Sequence, residues 1–151
     1  MTKVLMVCLG NICRSPLAEG ILTSKVNPAH VFVDSAGTAG YHVGHPPDPR
    51  SIAVAGKHGL DISNQRCRKF NKSDFDEFDL IYVMDKANYS DILTMTSNQS
   101  QKDKVSLLLD VTNMGQSEVP DPYYGGDEGF ENVYQMINDA CEVIAASLNN
   151  D

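Results

Sequence analysis

Cys8 and Arg14 stand on either side of five residues in the run Cys8-Leu9-Gly10-Asn11-Ile12-Cys13-Arg14-Ser15-Pro16. An ionised thiol is a strong nucleophile, and a guanidinium is a planar fork that grips two oxygens of one anion. Five residues wrapping between them point successive backbone N–H groups inward and form a nest for an anion. If a helix starts at the far end of the wrap, its dipole adds partial positive charge at the same spot. Gly10 and Asn11 are residue types that tolerate the left-handed backbone such a wrap requires. The chemistry this suits is attack by the Cys8 sulfur on a phosphoryl group whose oxygens are held by Arg14 and the loop amides. Read by itself, Cys-x5-Arg leaves a second account open, in which Cys8 is a buried strand end before a plain turn.

The flanking elements bear on that choice. Residues 3–8 are continuously apolar after Lys3, as expected of a strand buried on both faces of a parallel sheet. Ser15-Pro16 predicts a helix start, with the Ser15 hydroxyl as N-cap and proline at the first helical position. Leu17, Ala18, Ile21, Leu22 and Val26 share one helical face, and residues 30–34 form a second strand. A βαβ unit with the motif at its first turn places Cys8 at the carboxyl end of a strand, where open α/β sheets bind ligands. Downstream, the spacing predicts helices over 50–58, 72–78 and 86–96, strands over 79–84 and 105–109, and an amphipathic closing helix from Phe130 to Leu148. Irregular stretches rich in Gly and Pro occupy 37–49 and the region around Pro120. The expected fold is α/β, a three-layer domain with a four-stranded, mostly parallel sheet flanked by helices, and the phosphate-binding loop after strand 1. The whole span 1–151 reads as one domain.

Composition narrows the classes. The net charge is -8, with 20 acidic against 12 basic residues, which excludes a nucleic-acid partner. No apolar run is long enough to span a membrane and the N-terminus lacks the pattern of a signal peptide, so a cytoplasmic location is expected. Cys8, Cys13, Cys67 and Cys141 form neither a disulfide framework nor a metal-ligand pattern, and His30, His42, His45 and His58 add no ligand spacing. An acidic protein that binds phosphate must draw its positive potential from a local source, and the nest supplies one.

Taken together, CLGNICRSP, the SAGT after the second strand, VGHPPDPR, the VMD ending the third strand and VPDPYYGG resemble the low-molecular-weight protein tyrosine phosphatase family over nearly the whole chain. The resemblance implies strand order 2-1-3-4 and a two-step mechanism through a phosphocysteine, with no metal or other cofactor. It makes Cys8 the nucleophile, Arg14 the phosphate clamp and Asp121 the general acid, where Asp-Pro read alone would start a turn. The acid must be protonated while the thiol is ionised, so turnover should favour mildly acidic pH. By the same resemblance Leu9, Gly10, Asn11, Ile12, Cys13 and Ser15 line the phosphate-binding loop. Tyr41 and Tyr123 flank a slot for an aromatic ring with Leu9 at its rim, Tyr124 is a further candidate wall, and Ser35 supports the loop. The implied partners are phosphotyrosine-containing proteins, acted on by a monomer or weak dimer.

One departure stands out. Many family members carry a histidine after the second helix that bonds the loop asparagine, and the matching stretch here, Ser63 to Arg68, has none. Gln65 is the expected substitute. Asp48 and Asp85 read as loop anchors, Cys67 and Cys141 as bystanders, and Cys13 as either a small filler or a partner for oxidised Cys8. Two rival functions remain on the same residues: a thiol-dependent arsenate reductase, which needs a close pair of later cysteines, and a phosphate-binding module without catalysis.

Overall fold

The computed structural model describes residues 1–123 and 127–149. In chain order its elements are β1 (Thr2–Cys8), α1 (Arg14–Lys25), β2 (Val31–Gly37), α2 (Pro49–Lys57), α3 (Asp74–Glu77), β3 (Leu80–Val83), α4 (Lys86–Leu93), α5 (Gln99–Lys102), β4 (Val105–Leu107) and α6 (Asp127–Asn149). A 3-10 turn, Leu108–Val111, follows β4. All strand pairings are parallel and the sheet order is β2-β1-β3-β4.

Because side chains alternate across a strand, β1 divides its apolar residues between two cores. Val4, Met6 and Cys8 join Leu17, Ile21 and Leu22 of α1 and Phe130, Ile137 and Cys141 of α6 on one face. Leu5 and Val7 face the other way, among Phe75, Phe78, Ile81, Val83 and Ile92. Val4 through Val7 have no exposed surface, which is why this strand reads as unbroken apolar sequence. The central position of β1 puts the loop that follows it in the middle of the sheet's carboxyl edge.

Several boundaries differ from the expected ones. Strand β2 runs to Gly37, because Met6 to Cys8 continue to pair with Ser35 to Gly37. Strand β4 is shorter than expected, since the chain coils into the 3-10 turn at Leu108. Helix α4 ends at Leu93, short of the expected 96, and the short α5 lies outside the expected elements.

The start of α1 is a correction. Helical geometry begins at Arg14, with Cys13 in the N-cap position and no side-chain cap. Ser15 is therefore inside the first turn, where Pro16 is still tolerated because its missing N–H would have had no helical partner. Leaving the helix start uncapped keeps its N–H groups available to a ligand.

Candidate active site

The loop from Cys8 to Arg14 is shaped by where its carbonyls go. Those of Cys8 and Leu9 accept from the backbone N–H groups of Thr38 and Ala39, at 2.9 Å each. The Asn11 carbonyl accepts from the Cys67 thiol at 2.8 Å, and that of Ile12 from Asp48 N at 2.8 Å. The Cys13 carbonyl accepts from Ser51 Oγ at 3.3 Å. In a trans peptide the N–H points opposite to the C=O. Five outward carbonyls thus turn the amides of Leu9, Gly10, Ile12, Cys13 and Arg14 to the inside. The irregular stretch after β2 has a defined job, because Thr38, Ala39 and Asp48 pull those carbonyls outward.

Asn11 takes the left-handed conformation, with φ 57°. Gly10 does not, and its missing side chain serves space instead: a Cβ there would lie 3.3 Å from His42 Cδ2. Gly37 is tighter still, because a Cβ would meet Leu9 O at 2.8 Å.

Cys8 is buried at the floor of the loop, with its Sγ 3.0 Å from Ser15 Oγ. Ser15 Oγ also accepts from Asn11 Nδ2 at 2.8 Å, and the same nitrogen donates to Ser35 Oγ at 3.0 Å. Asn11 Oδ1 accepts from Arg68 N at 3.0 Å. The Arg68 side chain is itself held by Asp34 and by a two-pronged bond to Asp74, each at 3.1 Å.

Gln65 is a second correction. It does not reach Asn11; its Nε2 donates to Pro16 O at 3.1 Å, and its Oε1 is buried with no partner among the described residues. The backbone amide of Arg68 and the thiol of Cys67 fill the supporting role. Cys67 is therefore part of the loop's scaffold and not a bystander. A backbone donor carries no side-chain signature, so no residue type in Ser63 to Arg68 announces it.

Arg14 is a buried cation with fixed aim. Its Nη1 donates to Asp85 Oδ2 at 2.7 Å and to Val119 O at 2.9 Å, and its Nη2 lies 3.8 Å from Asp121 Oδ2. Burial opposes its charge, but Cys8, Asp85 and Asp121 outweigh burial and raise the guanidinium above its ordinary range. Asp85 also caps α4 through Asn88 N at 2.8 Å. Val119 is fixed to the end of β3 by its N–H to Met84 O at 2.8 Å, which brings the Asp121 loop over the site.

Asp121 forms the expected turn and also reaches the cavity. Its Oδ1 accepts from Tyr123 N at 3.0 Å, as in a turn, while its carboxyl borders the same cavity as Cys8 and Arg14. That cavity is about 300 Å³, with Leu9, Tyr41 and Tyr123 on its rim. His42 also lines it, a residue that spacing alone did not single out. Tyr124 lies outside the described residues. The Arg50 guanidinium lies over the Tyr123 ring at 5.4 Å and over Phe130 at 4.7 Å, and Asp48 holds it from α2's N-terminus. Cys13 is buried, and burial first, then the charges of Asp48 and Cys8, push its thiol up to about 12.

Residues 3–151 match the family model described as low molecular weight phosphotyrosine protein phosphatase. The chain belongs to this family. Relatives among low molecular weight phosphotyrosine protein phosphatases include the human protein, 43% identical over 92% of this chain and 90% of its own. The Schizosaccharomyces pombe protein is 42% identical over 98% and 99%. Among solved structures, a protein tyrosine phosphatase from Entamoeba histolytica with Hepes in its active site superposes with a TM-score of 0.91. It is 39% identical and covers 99% of this chain and 98% of its own. YfkJ from Bacillus subtilis superposes with a TM-score of 0.89, at 35% identity over 99% and 96%. These neighbours share the four parallel strands in order 2-1-3-4 flanked by helices. No helix among the described residues is long and apolar enough to cross a membrane.

Proposed function

We propose that this chain hydrolyses phosphotyrosine in proteins, and small aryl phosphates, with Cys8 as nucleophile, Arg14 as phosphate clamp and Asp121 as general acid and base. The observation that carries this reading is the placement of the Cys8 sulfur under a ring of inward amides, beside an Arg14 whose fork is fixed by Asp85 and Val119. In the first step the thiolate attacks phosphorus. The P–S bond forms, the P–O bond to the phenol breaks, and Asp121 gives its proton to the departing oxygen. In the second step water attacks the phosphocysteine and Asp121 takes a proton. The P–S bond breaks, releasing phosphate and the thiolate. The amides and Arg14 hold the equatorial oxygens throughout, which is most of what phosphoryl transfer asks of a protein.

Tyr41 and Tyr123 supply flat, amphipathic walls at the mouth, fitting an aryl group better than an alkyl one. Cys67 points its S–H at the Asn11 carbonyl, and burial, then the Cys8 charge, push its thiol up to about 11. That favours a scaffold role for it over the resolving role an arsenate reductase would need.

The test is Cys8→Ser and Arg14→Lys assayed on aryl phosphate, alkyl phosphate and arsenate with a thiol reductant. Cys8→Ser should lose turnover yet still bind vanadate, and Arg14→Lys should lose both, because an ammonium cannot reproduce the two-pronged grip. Substantial turnover by the serine variant, or arsenate reduction by the wild type, would overturn the assignment.

A further inference from the structure

The wall that Tyr123 gives the catalytic cavity has a second side. The Arg50 guanidinium lies over the Tyr123 ring at 5.4 Å and over the Phe130 ring at 4.7 Å. Two side-chain bonds to Asp48, each 3.1 Å, hold it there. Beyond Arg50, between α2 and α6, is a groove of about 230 Å³, lined by Pro49, Arg50, Ala53, Val54, Lys57 and Phe130. We propose that this groove is a substrate subsite, taking an apolar side chain with a neighbouring carboxylate about two or three residues from the phosphotyrosine of a protein substrate. This rests on reading the Cys8 cavity as the phosphotyrosine site.

The spacing on α2 makes the groove. Arg50, Ala53 and Lys57 are three and four residues apart, so they share one face of the helix. Ala53 is the small member of the three and leaves the gap between the two long ones. Val54 and Phe130, packed into the core, give the gap an apolar floor. Arg50 and Lys57 bring aliphatic stems to it as well as charge. Continuity with the catalytic cavity comes from Arg50, which bridges a ring of one site and a ring of the other. An extended chain advances about 3.3–3.6 Å per residue, so about two or three residues carry it from ring to ring.

Charge selects the occupant. The chain carries 20 acidic and 12 basic residues, so an acidic segment is repelled over most of its surface. The groove reverses that sign locally, with Arg50 and Lys57 in its lining. The nearby carboxylates are already engaged. Asp48 is paired with Arg50, and Glu131, which feels the charge of Lys57, meets His58 Nε2 at 3.0 Å and Gln135 Nε2 at 2.9 Å. Lys57, exposed at the edge, is therefore the cation that a substrate carboxylate meets. The apolar floor beside it suits the aliphatic or aromatic side chain next to that carboxylate.

The experiment uses phosphotyrosine peptides with Leu-Glu, Leu-Gln, Ser-Glu or Ser-Gln at the second and third positions from phosphotyrosine. One set places the pair before it and one set after it, with a small aryl phosphate as reference. In one set the wild type should favour leucine over serine by roughly three- to fivefold in kcat/KM, the worth of a side chain partly removed from water. It should favour glutamate over glutamine by roughly two- to fourfold, the worth of a surface ion pair, and added salt should erase that share alone. Lys57→Glu should abolish the glutamate preference and keep that for leucine. Ala53→Met, which fills the gap with a good helix former, should do the reverse. Both variants should stay within about twofold of wild type on the aryl phosphate, where only the catalytic cavity is used. Equal kcat/KM throughout both sets, or preferences that survive both substitutions, would overturn the subsite and leave the reaction standing. A wild-type dimer in sedimentation that Lys57→Glu dissociates would give the groove to a second copy and overturn it as well. A wild type that hydrolyses neither peptide nor aryl phosphate would overturn the reaction, and the subsite with it.

Discussion

Replacing Asp85 tests how the guanidinium of Arg14 is held. Asp85 makes two bonds with different demands: Oδ2 takes a charge-assisted bond from Arg14 at 2.7 Å, and Oδ1 caps α4 at 2.8 Å. Asparagine is as good an N-cap as aspartate, so Asp85→Asn isolates the charge. A hydrogen bond to a charged group is worth about 1.5–3 kcal/mol and a neutral one about 0.5–1.5, which puts the Asn variant roughly 1–2 kcal/mol below wild type. Alanine removes both bonds and leaves Arg14, whose side chain is 3% exposed, without its nearest counter-charge. Breaking a buried pair costs about 3–5 kcal/mol. The 21% exposure of Asp85 argues for the lower end. With about 1 kcal/mol for the cap, Asp85→Ala should lose about 4 kcal/mol, a large part of a typical domain's stability. Urea unfolding with and without inorganic phosphate is the assay. Phosphate supplies Arg14 with a new counter-charge, so the deficit of the Ala variant should shrink as phosphate is added. Its kcat/KM should fall by tenfold or more, on the order expected when a positioned group loses its aim. An Ala variant within about 0.5 kcal/mol of wild type and of normal activity would show that Val119 O and the helix dipole alone hold Arg14.

Asp121→Ala should cost little with a phenol of low pKa and roughly 10²–10⁴-fold with phosphotyrosine; a loss equal for all leaving groups would leave Asp121 only its turn-forming bond to Tyr123. Peroxide should produce a Cys8–Cys13 bridge that thiol reverses, and Cys13→Ser should make inactivation permanent; sulfinic or sulfonic acid at Cys8 in the wild type would reject the protective role. Gly37→Ala forces a Cβ to within 2.8 Å of Leu9 O and should destabilise the fold by about 1–3 kcal/mol while weakening phosphate affinity, both read by titration calorimetry and urea unfolding. Because burial raises the Glu19 carboxyl from 4.5 to about 7, the native state holds a proton between those pH values that the unfolded chain has released. Stability should therefore fall as pH rises through that window, by at most about 3 kcal/mol, and Glu19→Gln should flatten the slope in urea titrations across pH 4–8.

The fold and the heart of the site are local properties of this chain, and so they are readable from it. An unbroken apolar strand, a Cys-x5-Arg wrap and the amphipathic face of α1 each need only neighbours in sequence to make their meaning plain. Asp121 was reachable only through the resemblance of the whole DPYY stretch, because an Asp-Pro pair by itself describes a turn, and a turn is also what it forms. Ser-Pro normally marks a cap, yet α1 starts two residues before the expected position. Here the hydroxyl of Ser15 is drawn away to Cys8 and Asn11, a contact decided by the fold of the loop. What holds the loop was hidden for a further reason. Arg68 supports Asn11 through a backbone N–H, Cys67 through an S–H 56 residues away, and Asp85 steadies Arg14 across 71 residues. Backbone donors have no residue identity, and partners that far apart meet only where parallel strands bring their carboxyl ends together. Sequence determined the proposed nucleophile, the proposed clamp and the strand they hang from; the directions in which those groups point were decided by tertiary structure.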